Sequence, residues 1–350
     1  MLDSRRSRIA AFVIGIALTA PGLGSPGSVH AAGSTTSMTI VTVTPPVAKP
    51  GAPMSIGVSV VPAPSVAAVV HVVVYRPAPL GNWFQDVALD VSGMASAAID
   101  TTDMLDGTYP VEAFFDGTLD LVASIGSTEL TIDSVPPAAV APSVQLVASS
   151  LSMRSHVRVT IGFTSGGDLA AVEVRQQIDA GAWSALATIH NGSVLERTLS
   201  TGHRYRFQTR STDLAGNVGG WATSGVFLAT AVSQASSLVT HSAGWATSTS
   251  SAYWGASALV SSTTSATVTL HATASSVAWI SRVGPTRGTA RVYLDGVQVA
   301  TINLFAATSG GPRIVWAQNT HSHRAHVVVI KVSGTRGHPS VVVDGFIVSG

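Results

Sequence analysis

The chain has no cysteine among its 350 residues, and that single absence excludes disulfide frameworks, cysteine-based zinc sites, thiol nucleophiles and a lipidated cysteine anchor. Charge is scarce as well, at 11% of residues, and lysine occurs only at Lys49 and Lys331 against seventeen arginines. Long apolar runs are missing: the longest, Ile9 to Ala20, falls short of the roughly 20 residues a spanning helix needs. After residue 32 no stretch carries helical periodicity. Hydrolase and transferase signatures are also absent, with no G-x-S-x-G elbow, no H-E-x-x-H and no glycine-rich phosphate loop. No enzymatic activity and no cofactor are therefore expected.

The 46% of hydrophobic residues are mostly alanine and valine dispersed among serine, threonine and glycine, which is the composition of β-rich globular domains. The N-terminus has the layout of a signal peptide: Arg5, Arg6 and Arg8, the apolar run, breakers at Pro21, Gly22 and Gly24, and a small-residue cleavage site at Val29-His30-Ala31. Ser4-Arg5-Arg6 is a fragment of a twin-arginine signal, so the export route stays open between the two pathways. Secretion is expected, with no membrane span after cleavage and with retention at the cell surface left open.

Two composition breaks, Asp133 to Pro142 with Pro136, Pro137 and Pro142, and Thr230 to Ser237, are expected linkers. They divide the mature chain into residues 33–133, 134–232 and 233–350. Net charge divides with them: two basic and ten acidic side chains give the first segment −8, the second carries +2, and the third, with seven basic residues against Asp295 and Asp344, carries +5.

Every segment consists of short alternating runs separated by turn residues, so the expected class is all-β, as three tandem β-sandwiches. In the first, strands are expected at 39–43, 55–60, 69–75, 95–99, 109–115 and 127–132. Leu105, Gly107 and Tyr109 are placed as in a tyrosine corner. This strand order and the segment Asp106-Gly107-Thr108-Tyr109-Pro110-Val111-Glu112-Ala113 resemble the bacterial Ig-like repeat family. In the second, Leu199, Gly202 and Tyr205 repeat the corner ahead of the strand starting at Tyr205. Asp213-Leu214-Ala215-Gly216-Asn217-Val218-Gly219-Gly220-Trp221 and Gly181-Ala182-Trp183 resemble bacterial fibronectin type III domains, with Phe163 where that family commonly has tryptophan.

Residues 236–349 contain four of the seven tryptophans and the hairpin signal Asp295-Gly296 inside Val292 to Val299. The succession resembles the galactose-binding-like jelly rolls of secreted bacterial proteins, through Trp245, Trp279, Tyr293 to Gly296, His326 and Asp344. That resemblance implies a sandwich that commonly binds sugars at loops on one end or face.

Candidate ligand contacts are Tyr253, Trp254, Trp279, Arg282, Arg287 and Arg336. Trp245, Trp279 and Trp316 sit among strand residues and read first as core. Trp254, beside Tyr253 and Gly255 in a Ser/Ala-rich connection, is open to two readings, a buried anchor or an aromatic face for a sugar ring. The arginines lie in the loops Gly284-Pro285-Thr286-Arg287-Gly288 and Gly334-Thr335-Arg336-Gly337, either as solvated turn residues or as a positive field for an anionic glycan. His321, His323 and His326 have no carboxylate near them in sequence, so surface histidines are expected and not a zinc site. Asp100, Asp103 and Asp106 lack EF-hand spacing and are expected as turn acids and not calcium ligands.

Two functions follow. One is a secreted, non-catalytic adhesive protein in which two spacer sandwiches present a C-terminal module to extracellular or cell-wall polysaccharide. The other is a structural component of a surface assembly with a protein partner bound at exposed strand edges. Nucleic acid is not an expected partner.

Overall fold

A computed structural model describes residues 35–150, 156–163, 168–190 and 192–350, and the expected signal peptide lies outside them. Among the described residues there are strands and no helices, so no helix is long and apolar enough to cross a membrane. The all-β expectation holds. By backbone proximity the chain divides into two compact units, which do not follow the expected module limits. One holds the described residues up to Val43, Ser55–Ala97 and Pro110–Thr128; the other holds Thr44–Met54, Ala98–Tyr109 and Glu129–Gly350.

The first sandwich runs β1 (Met38–Thr44), β2 (Val47–Ala48), β3 (Met54–Val61), β4 (Val69–Val74), β5 (Trp83–Ala88), β6 (Met94–Ile99), β7 (Gly107–Phe115) and β8 (Ser124–Ile132). They form sheets of order β1-β3-β6 and β2-β8-β7-β4-β5. Period-2 alternation explains the clearer strands: in β3, Met54, Ile56, Val58 and Val60 point inward. β5 was missed in sequence because it is a sheet edge with one buried residue, Val87, and therefore carries no alternation. The tyrosine corner is present, with the Tyr109 hydroxyl donating to Leu105 O at 2.6 Å. Asp100 caps Thr102, as a turn acid does, whereas Asp106 accepts from Ser134, 28 residues on.

The second sandwich comprises β9 (Ser143–Leu146), β10 (Ser149–Ser150), β11 (His156–Gly162), β12 (Leu169–Ile178), β13 (Ser184–Ile189), β14 (Val194–Ser200), β15 (Arg204–Asp213), β16 (Ala222–Thr223) and β17 (Phe227–Ser233). One sheet has the order β14-β11-β9, and the other starts β13-β12-β15-β17 with β16 beside β15. Its corner works in reverse, the Ser200 amide donating to the Tyr205 phenol oxygen at 3.1 Å. In the Asp213 to Gly219 loop, Asn217 bonds Asp213 through N at 2.8 Å and Nδ2 at 3.0 Å, and reaches Asp133 O at 2.9 Å. Gly219 lets Pro137 O approach so closely that a Cβ there would lie 2.4 Å from it. The expected linker after Asp133 is thus irregular chain fastened to the second sandwich by this loop.

The third comprises β18 (Val239–His241), β19 (Ala246–Thr249), β20 (Ser257–Ser261), β21 (Thr267–Ser281), β22 (Thr289–Leu294), β23 (Val297–Asn303), β24 (Arg313–Val332), β25 (Val341–Val343) and β26 (Gly345–Ser349). A small sheet, β19-β20-β25, faces a large one ordered β26-β21-β24-β22-β23. Asp295 and Gly296, at φ 51° and 85°, make the tight turn joining β22 and β23.

The second expected linker is not one. β17 runs through residue 233, and its Ala229–Ser233 part pairs antiparallel with Gly345–Ser349 of β26, so both modules share one 12-stranded sheet. β10 adds a second tie by pairing Ser149 and Ser150 with Ile314 and Arg313. The cores join too: Leu146, Val157, Val159, Phe207 and Phe227 pack in one cluster with Trp254, Ala278, Ile280, Ile314 and Ile347. Alternation consequently disappears in Val277–Ser281, where both faces are buried. Val277 and Trp279 face the third module's own core, while Ala278 and Ile280 face the shared one.

Candidate ligand-binding site

Three loops meet at one end of the third module: 282–288 after β21, 304–312 after β23 and 333–340 after β24. Backbone bonds lock them together, with Gly284 bridged to Phe305 and Arg287 to Ser340. Two glycines allow the crowding. A Cβ on Gly288 would lie 2.4 Å from His338 O, and one on Gly310 would lie 2.7 Å from Arg313 Nη2.

Arginines gather on this frame. Arg282 is half-buried, donates from Nε to Gly310 O at 3.1 Å, and lies 5.6 Å from the Tyr253 ring centroid. Arg287 donates from Nη1 to Ser340 Oγ at 2.7 Å, while its carbonyl accepts from His338 Nδ1 at 3.0 Å. Arg313 packs against Gly310 with its Nε buried and without a hydrogen-bond partner among the described residues. Arg336 is exposed at the tip of the third loop. Among the described residues no carboxylate pairs with any of these four side chains. Beside them Phe305 is 46% exposed, with its ring 4.7 Å from that of His338.

The aromatic expectations need correction. Trp254 is not solvent-facing: 9% exposed, it belongs to the core shared with the second module and lies under Gly345. Its amide donates to both oxygens of buried Asp344, at 2.9 and 2.8 Å. Tyr253, 6% exposed, packs with Ala258 and Val342, so it supports Arg282 from beneath. Trp279 is fully buried, and Trp245 and Trp316 are core as expected. Phe305, His338 and Arg313 went unseen in sequence. Phe305 sits in an apolar run that reads as strand, and only the fold brings it beside Gly-His-Pro.

The histidine expectation is corrected in part. His326 is buried, and Nδ1 lies 2.8 Å from Oδ2 of Asp295 in the hairpin turn, a carboxylate 31 residues away in sequence. Asp295 also accepts from the Val327 amide and from Arg324. These contacts, the Val327 amide first, hold its carboxyl below the usual carboxylate range. His323 packs against Gly350, and the side chain of His321 lies outside the described residues. Among the described residues no group of histidines and carboxylates is arranged to hold a metal ion.

The fold and these loops define an all-β protein of joined β-sandwich modules. No protein-family model matches the chain, and no curated protein sequence matches it. Solved structures that it resembles include the fibronectin(III)-like modules of Clostridium thermocellum CbhA, 16% identical over 53% of this chain and 92% of that one, TM-score 0.27. Others are a tetra-tandem repeat from the extending region of a large adhesion protein (13%, covering 91% and 74%, TM-score 0.23) and an exo-β-1,3-galactanase from Phanerochaete chrysosporium (9%, covering 85% and 78%, TM-score 0.27). At such identities and TM-scores these likenesses carry no functional information.

Proposed function

We propose that this chain is a secreted, non-catalytic carbohydrate-binding protein whose third module takes an anionic glycan at its arginine-bearing loops. One observation carries the reading: Arg282, Arg287 and Arg313 converge on the loops around Gly284 and Gly310 with no paired carboxylate among the described residues, beside exposed Phe305. Guanidinium forks recognise carboxylates and sulfates in pairs of hydrogen bonds, and an exposed ring gives a sugar an apolar face. The module's two acids are engaged elsewhere, Asp344 buried against Trp254 and Asp295 within the hairpin, which supports binding without hydrolysis.

The test is a glycan array and polysaccharide pull-down on the mature chain. Retention on anionic polymers should weaken with salt, and Arg282→Ala with Arg287→Ala should reduce affinity by at least about tenfold. No retention on any neutral or anionic glycan overturns the reading.

A second reading, a structural role with a protein partner, is favoured by β5. This edge strand carries Phe84, 67% exposed, and ends its sheet. Elution of the mature chain as an oligomer that Phe84→Lys returns to monomer, without sugar retention, would select it.

A further inference from the structure

The outer face of the second module carries a cluster that the loop site does not use. On β12 and β15, Glu173 lies directly opposite Arg210, and Arg175 opposite Gln208. Arg210 grips Glu173 with two hydrogen bonds, Nε to Oε1 at 2.9 Å and Nη2 to Oε2 at 3.0 Å. Arg175 is held differently. Its guanidinium lies 3.8 Å from the ring centroid of Trp221 and 5.3 Å from that of Trp183, and Arg210 covers Trp221 at 4.7 Å. Nε of Arg175 donates to Gln208 Oε1 at 2.6 Å, and Gln208 is itself oriented by donating from Nε2 to Thr223 Oγ1 at 2.7 Å.

Glu173, Arg175, Trp183, Arg210 and Trp221 line a groove of about 470 Å³, walled on the β13 side by exposed Thr188. That volume lies in the roughly 300–1,000 Å³ range of small-molecule sites. The Glu173–Arg210 pair is complete in itself. Arg175 is not: among the described residues it has no carboxylate, and two indoles fix its plane without neutralising its charge. A guanidinium held in one plane, with its Nε already used, offers its remaining donors to an anion as a pre-organised fork.

We infer that this groove is a second binding site, for a sugar ring carrying a carboxylate. Arg175 takes the carboxylate, the half-buried indoles of Trp183 and Trp221 give the ring an apolar wall, and the oxygens of Thr188 and Glu173 meet its hydroxyls. A free phosphate satisfies the cation and leaves the indoles unused. A neutral sugar leaves Arg175 unpaired. The site shares no residue with the arginine loops of the third module, so either stands without the other. Because both modules share a sheet and a core, two such sites on one polymer would bind at fixed spacing and reinforce each other.

The experiment titrates the full mature chain carrying Arg282→Ala and Arg287→Ala, which disables the loop site, with a galacturonic acid trimer. Tryptophan fluorescence and calorimetry are read together. A saturable fluorescence change is expected, absent with a neutral galactose trimer and with inorganic phosphate. Arg175→Gln should weaken binding by at least about tenfold. Thr188→Trp, which fills the groove from an exposed position, should do the same, and it decides the matter if Arg175→Gln fails to fold. Any of three results overturns the inference: no binding of the trimer, an equal response to phosphate or to the neutral trimer, or undiminished binding by folded Thr188→Trp. Loss of glycan retention caused by the loop substitutions alone speaks only to the loop site.

Discussion

His71 shows how one residue on an open sheet face acquires a pH response. Its Nδ1 lies 2.7 Å from Asp86 Oδ1 on β5 and its Nε2 3.2 Å from Asp116 Oδ2, just past the end of β7. The hydrogen bond to Asp86 leads in raising its pKa, partial burial opposes, and Asp116 adds to the rise. A raised folded pKa means that stabilisation is complete below the ordinary histidine value of about 6.5 and disappears as pH climbs through the raised value. Melting temperature should therefore decline as pH rises above about 6.5 and through the raised value, and Asp86→Asn should flatten that part of the profile in thermal melts. Asp295 runs the other way. Its carboxyl is held low, so its contribution is present above about pH 4 and is lost as pH falls through the depressed value. Its partner His326 is buried, so His326→Ala leaves a cavity and a less satisfied carboxylate, costing on the order of 2 kcal/mol by chemical denaturation.

At the scale of elements, β17, β21 and β26 decide the structure. β21 is buried on both faces in its second half because the second module's core lies against a face that a free third module would expose. Trp254 anchors this arrangement, and Trp254→Ala should destabilise the joined modules by about 3–5 kcal/mol in denaturant melts. Asp344→Ala removes the acceptor of the Trp254 amide and should cost about 1–3 kcal/mol, since a buried donor is left unpaired. Much here was legible in sequence. The Asp-Gly turn, both tyrosine corners and the bonds between Asn217 and Asp213 depend on contacts within a few residues. β5 was not legible, because an edge strand with one buried side chain has nothing to alternate. The run Val277 to Ile280 did hold a signal: unbroken apolar character means cover on two sides, although it does not say what provides the second cover.

At the scale of the molecule, the second and third modules should behave as one cooperative body. Calorimetry on residues 134–350 should give a single transition, and residues 233–350 alone should aggregate, since removing the second module exposes Ala278, Ile280 and Ile347 and strips β26 of one of its two partner strands. Binding assays on the third module in isolation would for that reason misreport its loops. The candidate site divides along the same line. Arg282, Arg287 and Arg336 were visible as arginines in Gly-rich turns, whereas Arg313, Phe305 and His338 join them only because three loops far apart in sequence are bridged at Gly284, Phe305, Arg287 and Ser340.

Alternation, turn chemistry and charge distribution are short-range properties, and they were enough to determine an all-β chain of sandwiches with an arginine-rich third module. Which aromatic rings face solvent depends on what packs over them from elsewhere in the chain. Tertiary structure alone decided that Trp254 serves as an inter-module anchor, that Trp183 and Trp221 clasp Arg175 on an open face, and that the first half of the expected linker at 230–237 is a shared strand.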